Sequence, residues 1–179
     1  MHGYLEQALA NTPPTSALDV GAGSGRDANW LAAKGWQVTA TEPAEALLKL
    51  AKQNSQENVT WCNAALPALA NLPTAHQHKH FDLILLSAVW MHLPIDDRPT
   101  AIKRLAELLS ANGRMYISLR FGPSDPERPM YSVSYEELQA LAEENGLTAR
   151  NLNPVASKDG LKRNDVEWVT VELVSAGSK

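Results

Sequence analysis

Two periods of apolar residues alternate along this chain. Short apolar runs, Ala17-Leu18-Asp19-Val20, Trp36-Gln37-Val38-Thr39-Ala40-Thr41, Asn58-Val59-Thr60-Trp61-Cys62, Phe81 to Ser87 and Arg114 to Leu119, read as buried strands. Between them apolar residues recur at helical spacing. Ala28, Leu31 and Ala32 predict a first such helix, which Gly35 ends in the left-handed conformation. Pro43 suits a first helical position, and Leu47, Leu48 and Ala51 form the inward stripe of a helix running to about Gln53. Asp96 or Asp97 is expected to cap a third, carrying Ala101, Ile102, Leu105, Leu108 and Leu109 and ending at Gly113. Ser134-Tyr135-Glu136-Glu137 has the form of a capping box, and Leu138, Leu141 and Ala142 carry that helix to Gly146.

The remaining segments are less regular. Tyr4-Leu5 and Ala8-Leu9 predict a short leading helix that stops at Thr12-Pro13-Pro14-Thr15. Pro67 to His80 has no clear period and predicts a short helix or an irregular loop. Leu147 to Leu152 and Val166 to Val174 are the last two strands, with a polar, basic loop from Ser157 to Asn164 between them. The alternation in Val166 to Leu173 predicts a strand exposed on one face. Strands alternating with helices imply a parallel sheet covered on both faces, with its ligand at the carboxyl ends of the strands where strand order reverses.

Length and composition narrow the class. A chain of 179 residues, 44% hydrophobic and 20% charged, predicts one compact domain over 1–179 with a sizeable core. Sixteen Lys and Arg against twenty Asp and Glu give a net charge of −4, no footprint for a phosphate backbone. The lone cysteine, Cys62, rules out an internal disulfide and a multi-cysteine metal site, and reads as a buried small hydrophobe. The first fifteen residues lack a basic head with an apolar run, and no stretch reaches membrane-spanning length, so a soluble cytoplasmic protein is expected.

The chemistry begins after the first strand. Gly21-x-Gly23-x-Gly25 lies between that strand and a helix, where glycines let the backbone turn tightly and approach a ligand. Glu42, seventeen residues beyond Gly25 at the end of the second strand, suits a carboxylate accepting from two ribose hydroxyls. A dinucleotide fingerprint requires Gly or Ala where Arg26 stands, and no Gly-Lys-Ser or Gly-Lys-Thr phosphate loop occurs. Asp19, two residues before the first glycine, would repel a pyrophosphate and suits a ligand with a cationic end. A cationic adenosine derivative meets all three conditions.

Leu18-Asp19-Val20-Gly21-Ala22-Gly23-Ser24-Gly25-Arg26-Asp27 resembles motif I of the class I S-adenosylmethionine-dependent methyltransferases. The resemblance continues through Thr41-Glu42-Pro43, the Phe81 to Ser87 strand and the Gly113 to Leu119 strand. Gly25-Arg26-Asp27-Ala28 with Trp30-Leu31-Ala32 and Gly35 is similar to the small-molecule group that includes tellurite and thiopurine methyltransferases. The resemblance implies a Rossmann-like α/β fold, doubly wound, with a seven-stranded sheet in the order 3-2-1-4-5-7-6 and strand 7 antiparallel. It implies S-adenosyl-L-methionine as cofactor and a small-molecule methyl acceptor, while the acidic charge and the lack of a membrane-spanning stretch point away from nucleic-acid and membrane partners. By position, Asp19, Gly21, Ala22, Gly23 and Gly25 line the methionine half, Glu42 with Pro43 takes the ribose, and Asn63 and Ala64 occupy the adenine position. Many relatives have an aspartate there, whereas Asn63 offers an amide oxygen and Ala64 only backbone. Ser87 and Ala88 lie beside the methionine portion, with Trp90 and His92 close behind.

Several roles stay open at this level. His92 is the leading general-base candidate, with a structural or cofactor-wall role as its alternative. Arg120 either orients an anionic acceptor or joins an inter-loop salt bridge. Arg26 either pairs with the cofactor carboxylate or is a helix-surface charge, and Asp27 reads as a first-turn helix acid. Trp36, Trp61 and Trp168 read as core, and Trp90 as an active-site wall. His76, His78 and His80 read as a solvated loop, and no metal site is expected. Strand four ends in Ser87-Ala88-Val89-Trp90, without the Asn/Asp-Pro-Pro-Tyr type motif of amino-group DNA methyltransferases. The loop from Phe121 to Val133 is the candidate specificity segment, and a homodimer would complete an open acceptor site. Two competing classes remain, a nicotinamide-dependent oxidoreductase or its binding domain, and a non-catalytic or partner-dependent cofactor-binding module. Methylation of a protein or RNA through a docking partner is a further alternative.

Overall fold

The computed structural model describes residues 2–76, 80–124, 128–153, 157–158 and 165–177. Seven strands form one mixed sheet: β1 Ser16–Val20, β2 Gln37–Thr41, β3 Val59–Cys62, β4 Phe81–Leu86, β5 Leu109–Phe121, β6 Leu147–Asn151 and β7 Glu167–Ser175. Their spatial order is β3-β2-β1-β4-β5-β7-β6. β1 to β5 pair in parallel, and β7 runs antiparallel to both its neighbours. A two-residue strand, Ser157–Lys158, pairs with Glu167 and Trp168 of β7 on the β6 side, an addition to the expected seven. Five helices complete the chain: α1 His2–Leu9, α2 Arg26–Ala33, α3 Glu45–Gln53, α4 Arg98–Leu108 and α5 Tyr135–Glu144.

The near-continuous apolar strands divide by parity into two cores. Leu18 and Val20, Ile84 and Leu86, and Met115, Ile117 and Leu119 face one cluster, closed by Ile102 and Leu105 of α4 and Leu138 and Ala142 of α5. Ala17, Leu83, Leu85 and Tyr116 face the other, closed by Leu5 and Leu9 of α1 and Ala28, Leu31 and Ala32 of α2. Helices therefore pack on both faces, and strand order reverses between β1 and β4.

Local signals match this frame in detail at most helix ends. Gly35, at φ +94°, donates to Ala32 O while Trp36 N donates to Leu31 O, the pair of bonds that closes a helix on a left-handed residue. Ser134 Oγ accepts from Glu137 N at 3.0 Å, so the predicted cap forms. Three expectations are corrected. Pro43 precedes α3 rather than opening it, and Leu47 is exposed while Leu48 and Ala51 turn inward. A 3₁₀ turn, Ile95–Asp97, leads into α4, so Asp97 has helical dihedrals and makes no side-chain cap, and the helix ends at Leu108, before Gly113. β7 is buried on both faces, since it lies between β5 and β6. Its Glu172 accepts from Tyr116 Oη and Arg114 Nη1, each at 2.9 Å, and pairs with Arg150 Nη2 at 2.6 Å.

Between β3 and β4 the described residues are irregular apart from a 3₁₀ turn, Thr74–His76. His76 is half-buried, where a solvated loop was expected: it stacks on His80 with ring centroids 4.2 Å apart and meets Thr39 Oγ1 at 3.1 Å. His78, Pro126 and 159–164 of the basic loop lie outside the described residues. Among the described residues no helix is long and apolar enough to cross a membrane, and no group of three or more His, Cys, Asp or Glu could hold a metal. Cys62 is buried in the first cluster, and Trp36 in the second.

Candidate functional site

The carboxyl ends of β1, β2 and β4 open into two adjoining cavities, of about 620 Å³ and about 200 Å³, which share Gly21, Glu42, Pro43 and Arg128. Together they have the size of a small-molecule site. The larger is bounded by Asp19, the loop 21–24, Arg26, Asp27, Ser87 and Ala88. The smaller is bounded by Ala64, Ala65, Leu66, Val89, His92 and Leu93 and is mainly apolar.

All three loop glycines have positive φ, +65° at Gly21, +58° at Gly23 and +92° at Gly25. A Cβ at Gly21 would stand 2.7 Å from Val89 Cγ2, and one at Gly25 2.9 Å from Trp61 Cη2. Gly21→Ala is therefore expected to lower stability by at least the ~1–2 kcal/mol of a left-handed alanine, and to displace Val89 from the cavity wall. Urea unfolding of the variant checks this, and an unchanged midpoint would contradict it.

The loop amides are already engaged. Gly21 N donates to Thr41 Oγ1 at 3.4 Å, Ala22 N to Thr41 O at 2.8 Å, Gly23 N to Glu42 Oε2 at 2.9 Å and Gly25 N to Ala22 O at 3.0 Å. A pyrophosphate would need such donors free. Glu42 takes a second bond at its other oxygen, from Ala44 N at 2.8 Å, which leaves each oxygen one lone-pair site toward the cavity. Sequence reasoning assigned Glu42 a ligand, and its part in fixing the loop comes only from the structure.

Asp19 is 1% exposed, and its Oδ2 has no hydrogen-bond partner among the described residues. Burial pushes its carboxyl well above the usual range and Asp27 adds to the rise, against the Ala28 backbone N–H and Arg26, which pull it down. A buried carboxyl oxygen without a partner at a cavity wall is costly unless a ligand satisfies it. Arg26 does not reach into the cavity as a free cation. Its Nε and Nη2 grip both oxygens of Asp27 at 2.8 and 3.2 Å, with Ser87 Oγ 3.5 Å away. Asp27 is thus a buried partner as well as a first-turn acid.

After β4 the backbone is held in an unusual conformation. Ala88 has φ +60°, and its N–H donates to the buried Ser118 Oγ of β5 at 2.8 Å. The next turn, the 3₁₀ segment Trp90–His92, puts Val89 and His92 at the smaller cavity and Trp90 in the core. Trp90 is fully buried and does not wall the cleft, contrary to expectation. Fully buried Arg98 fixes this turn: its Nε donates to Leu93 O at 3.3 Å, its Nη1 to Glu137 Oε2 at 2.5 Å, and its guanidinium lies 5.7 Å from the Trp90 ring.

His92 Nδ1 meets Pro129 O at 3.0 Å. A carbonyl only accepts, so Nδ1 carries the hydrogen and Nε2 is the basic nitrogen. Burial lowers the His92 pKa below the ordinary value, the Pro129 bond opposes this, and Arg128 and Arg120 lower it further. Tyr131 N donates to Met91 O at 2.8 Å, a second tie between this turn and the segment after β5.

Two assigned residues lie elsewhere. Asn63 is exposed and outside the lining of both cavities, its carbonyl accepting from Asn71 Nδ2, because the chain presents Ala64 inward. Arg120 also lies outside both linings, and its Nη1 donates to Pro123 O at 2.8 Å, so it braces a loop. Arg128, Leu66 and Ser118 were missed, and no periodicity or motif marks them.

Residues 18–117 match a family model described as a methyltransferase domain. The chain is 26% identical over 141 residues to the probable S-adenosyl-L-methionine-dependent methyltransferase TehB of Haemophilus influenzae, covering 76% of this chain and 47% of that protein. It is 34% identical over 117 residues to the ubiquinone biosynthesis O-methyltransferase of Xanthomonas axonopodis pv. citri, covering 64% and 47%. The chain thus spans about half the length of the curated relatives it matches. In fold it is similar to a TehB-like SAM-dependent methyltransferase from Corynebacterium glutamicum, with TM-score 0.70, 23% identity and coverage of 97% and 87%. The 1,6-didemethyltoxoflavin-N1-methyltransferase of Burkholderia thailandensis, solved with S-adenosylhomocysteine, gives TM-score 0.71, 22% identity and coverage of 97% and 75%.

Proposed function

Because the chain belongs to the methyltransferase-domain family, we propose that it is an S-adenosyl-L-methionine-dependent methyltransferase acting on a small-molecule acceptor, folded as one domain over 1–179. The observation that carries the reading is the unpartnered buried oxygen of Asp19 beside a loop whose Gly21, Ala22, Gly23 and Gly25 amides are already bound. This pairing favours a cationic ligand over a pyrophosphate, which sets the oxidoreductase reading aside.

The residues present fit the cofactor. Asp19 meets its ammonium and Glu42 its ribose hydroxyls, while Gly21, Ala22, Gly23 and Gly25 give the close backbone approach. Pro43 and Ala64 wall the adenine, and Ser87 and Ala88 border the methionine portion. Adenine recognition rests on apolar walls and backbone, since Asn63 is turned away. When bound, the cofactor supplies an electrophilic methyl carbon, so the protein's task is to hold the partners in line and exclude water.

His92 takes the acceptor's proton at Nε2, with its ring oriented through Nδ1 by Pro129. A base with a lowered pKa is neutral at pH 7, so the rate is expected to rise with pH along a limb below the ordinary histidine value and to be flat near neutrality. His92→Gln should remove that limb and slow turnover by roughly 10²-fold or more. A pH profile that survives the substitution would return His92 to a wall residue.

An acceptor rather than a nucleic acid is proposed from the charge of −4 and the apolar smaller cavity. A cytoplasmic setting follows from the single cysteine. A second copy closing the acceptor side against exposed Ile95 and Tyr131 is the homodimer reading, tested by sedimentation. The deciding experiment is calorimetric titration with S-adenosylmethionine, S-adenosylhomocysteine and NAD. Binding of the first two alone supports the reading, and binding of NAD or of none overturns it.

A further inference from the structure

The larger cavity is bordered by a carboxyl oxygen and a guanidinium that have no partner among the described residues. One is Asp19, whose Oδ2 is buried without a partner. The other is Arg128, which borders both cavities and has no hydrogen-bond or ion-pair partner among the described residues. The other arginine at the wall is committed. Asp27, whose side chain is 6% exposed, is held by Arg26 at both oxygens, and breaking a buried pair is strongly unfavourable. Arg120 is outside both linings and bonded to Pro123 O. An amino-acid end brings one ammonium and one carboxylate. The acids at this wall, Asp19, Asp27 and Glu42, repel the carboxylate, and only a cation free to move can receive it.

We propose that Arg128 is the counter-ion of the cofactor's carboxylate, closing the cleft opposite Asp19 from the segment after β5. The inference rests on the cofactor reading above and gives that segment a binding role distinct from the glycine loop. Its geometry is favourable: Arg128 is exposed and has a long side chain to swing, while the adjoining Pro129 carbonyl is anchored on His92.

The test is calorimetry of the full chain with two probes, S-adenosylhomocysteine and its decarboxylated analogue, 5′-deoxy-5′-(3-aminopropylthio)adenosine. Arg128→Met is expected to weaken the first about tenfold and to leave the second within twofold. Arg128→Lys should recover part of the loss. Equal loss with both probes, no loss with either, or a carboxylate-selective loss in Arg26→Met instead would each overturn the assignment. If the unaltered protein binds neither probe, the cofactor reading itself fails, and this inference with it. Melting curves of the variants keep a folding defect from passing for a binding one.

Discussion

Glu137→Ala is expected to lower the free energy of unfolding by about 3–5 kcal/mol, the cost of breaking a buried ion pair by removing one partner. Its carboxylate is the partner of Arg98, which is wholly buried and whose Nη2 already has no acceptor among the described residues. Removing Glu137 leaves the positive charge between α4, α5 and Trp90 without its carboxylate. Arg98→Met should cost far less, under about 1.5 kcal/mol, because it removes the charge and keeps most of the volume. Glu137 would then remain 29% exposed in the first turn of α5, where a helix favours a negative charge. Urea unfolding of the two variants side by side decides the matter, and equal losses would refute a charge-based account. Because Arg98 also holds Leu93 O, the stronger variant should disturb the turn that carries His92.

Glu42→Ala should weaken S-adenosylhomocysteine binding by about 1.5–3 kcal/mol, roughly ten- to 150-fold, from lost hydrogen bonds to a charged group. The loss has two sources. One is the ribose contact proposed for Glu42. The other is the loop itself, since the amides of Gly23 and Ala44 lose their acceptor together. The melting temperature of the empty protein should therefore fall as well, a change that loss of a ligand contact alone would not produce. Calorimetry and a melting curve on the same variant separate the two, and unchanged affinity would remove Glu42 from the site.

The glycine-loop side of this cleft was legible in the sequence because it is built from contiguous signals. A short apolar run, three glycines and an acid at the end of the next strand need no tertiary information, and Asp19, Gly21 and Glu42 stand at the cavity wall as read. Trp90 was misread because its position after β4 is shared by wall and core, and only the packing of α4 and α5 decides between them. β7 looked half-exposed by its alternation. Arg114 and Arg150, distant in sequence and adjacent in the sheet, let Glu172 be buried. Arg128 lies in a loop without period, where nothing local indicates what a side chain meets.

The orphan oxygen of Asp19 also has a thermodynamic meaning. Below its raised pKa the empty cleft holds a proton there, which the proposed ammonium would displace. Proton and cofactor then compete for one atom. Under the proposed reading, loading of this protein would be an exchange of cations rather than an addition of charge, and acid would weaken its hold on the ligand.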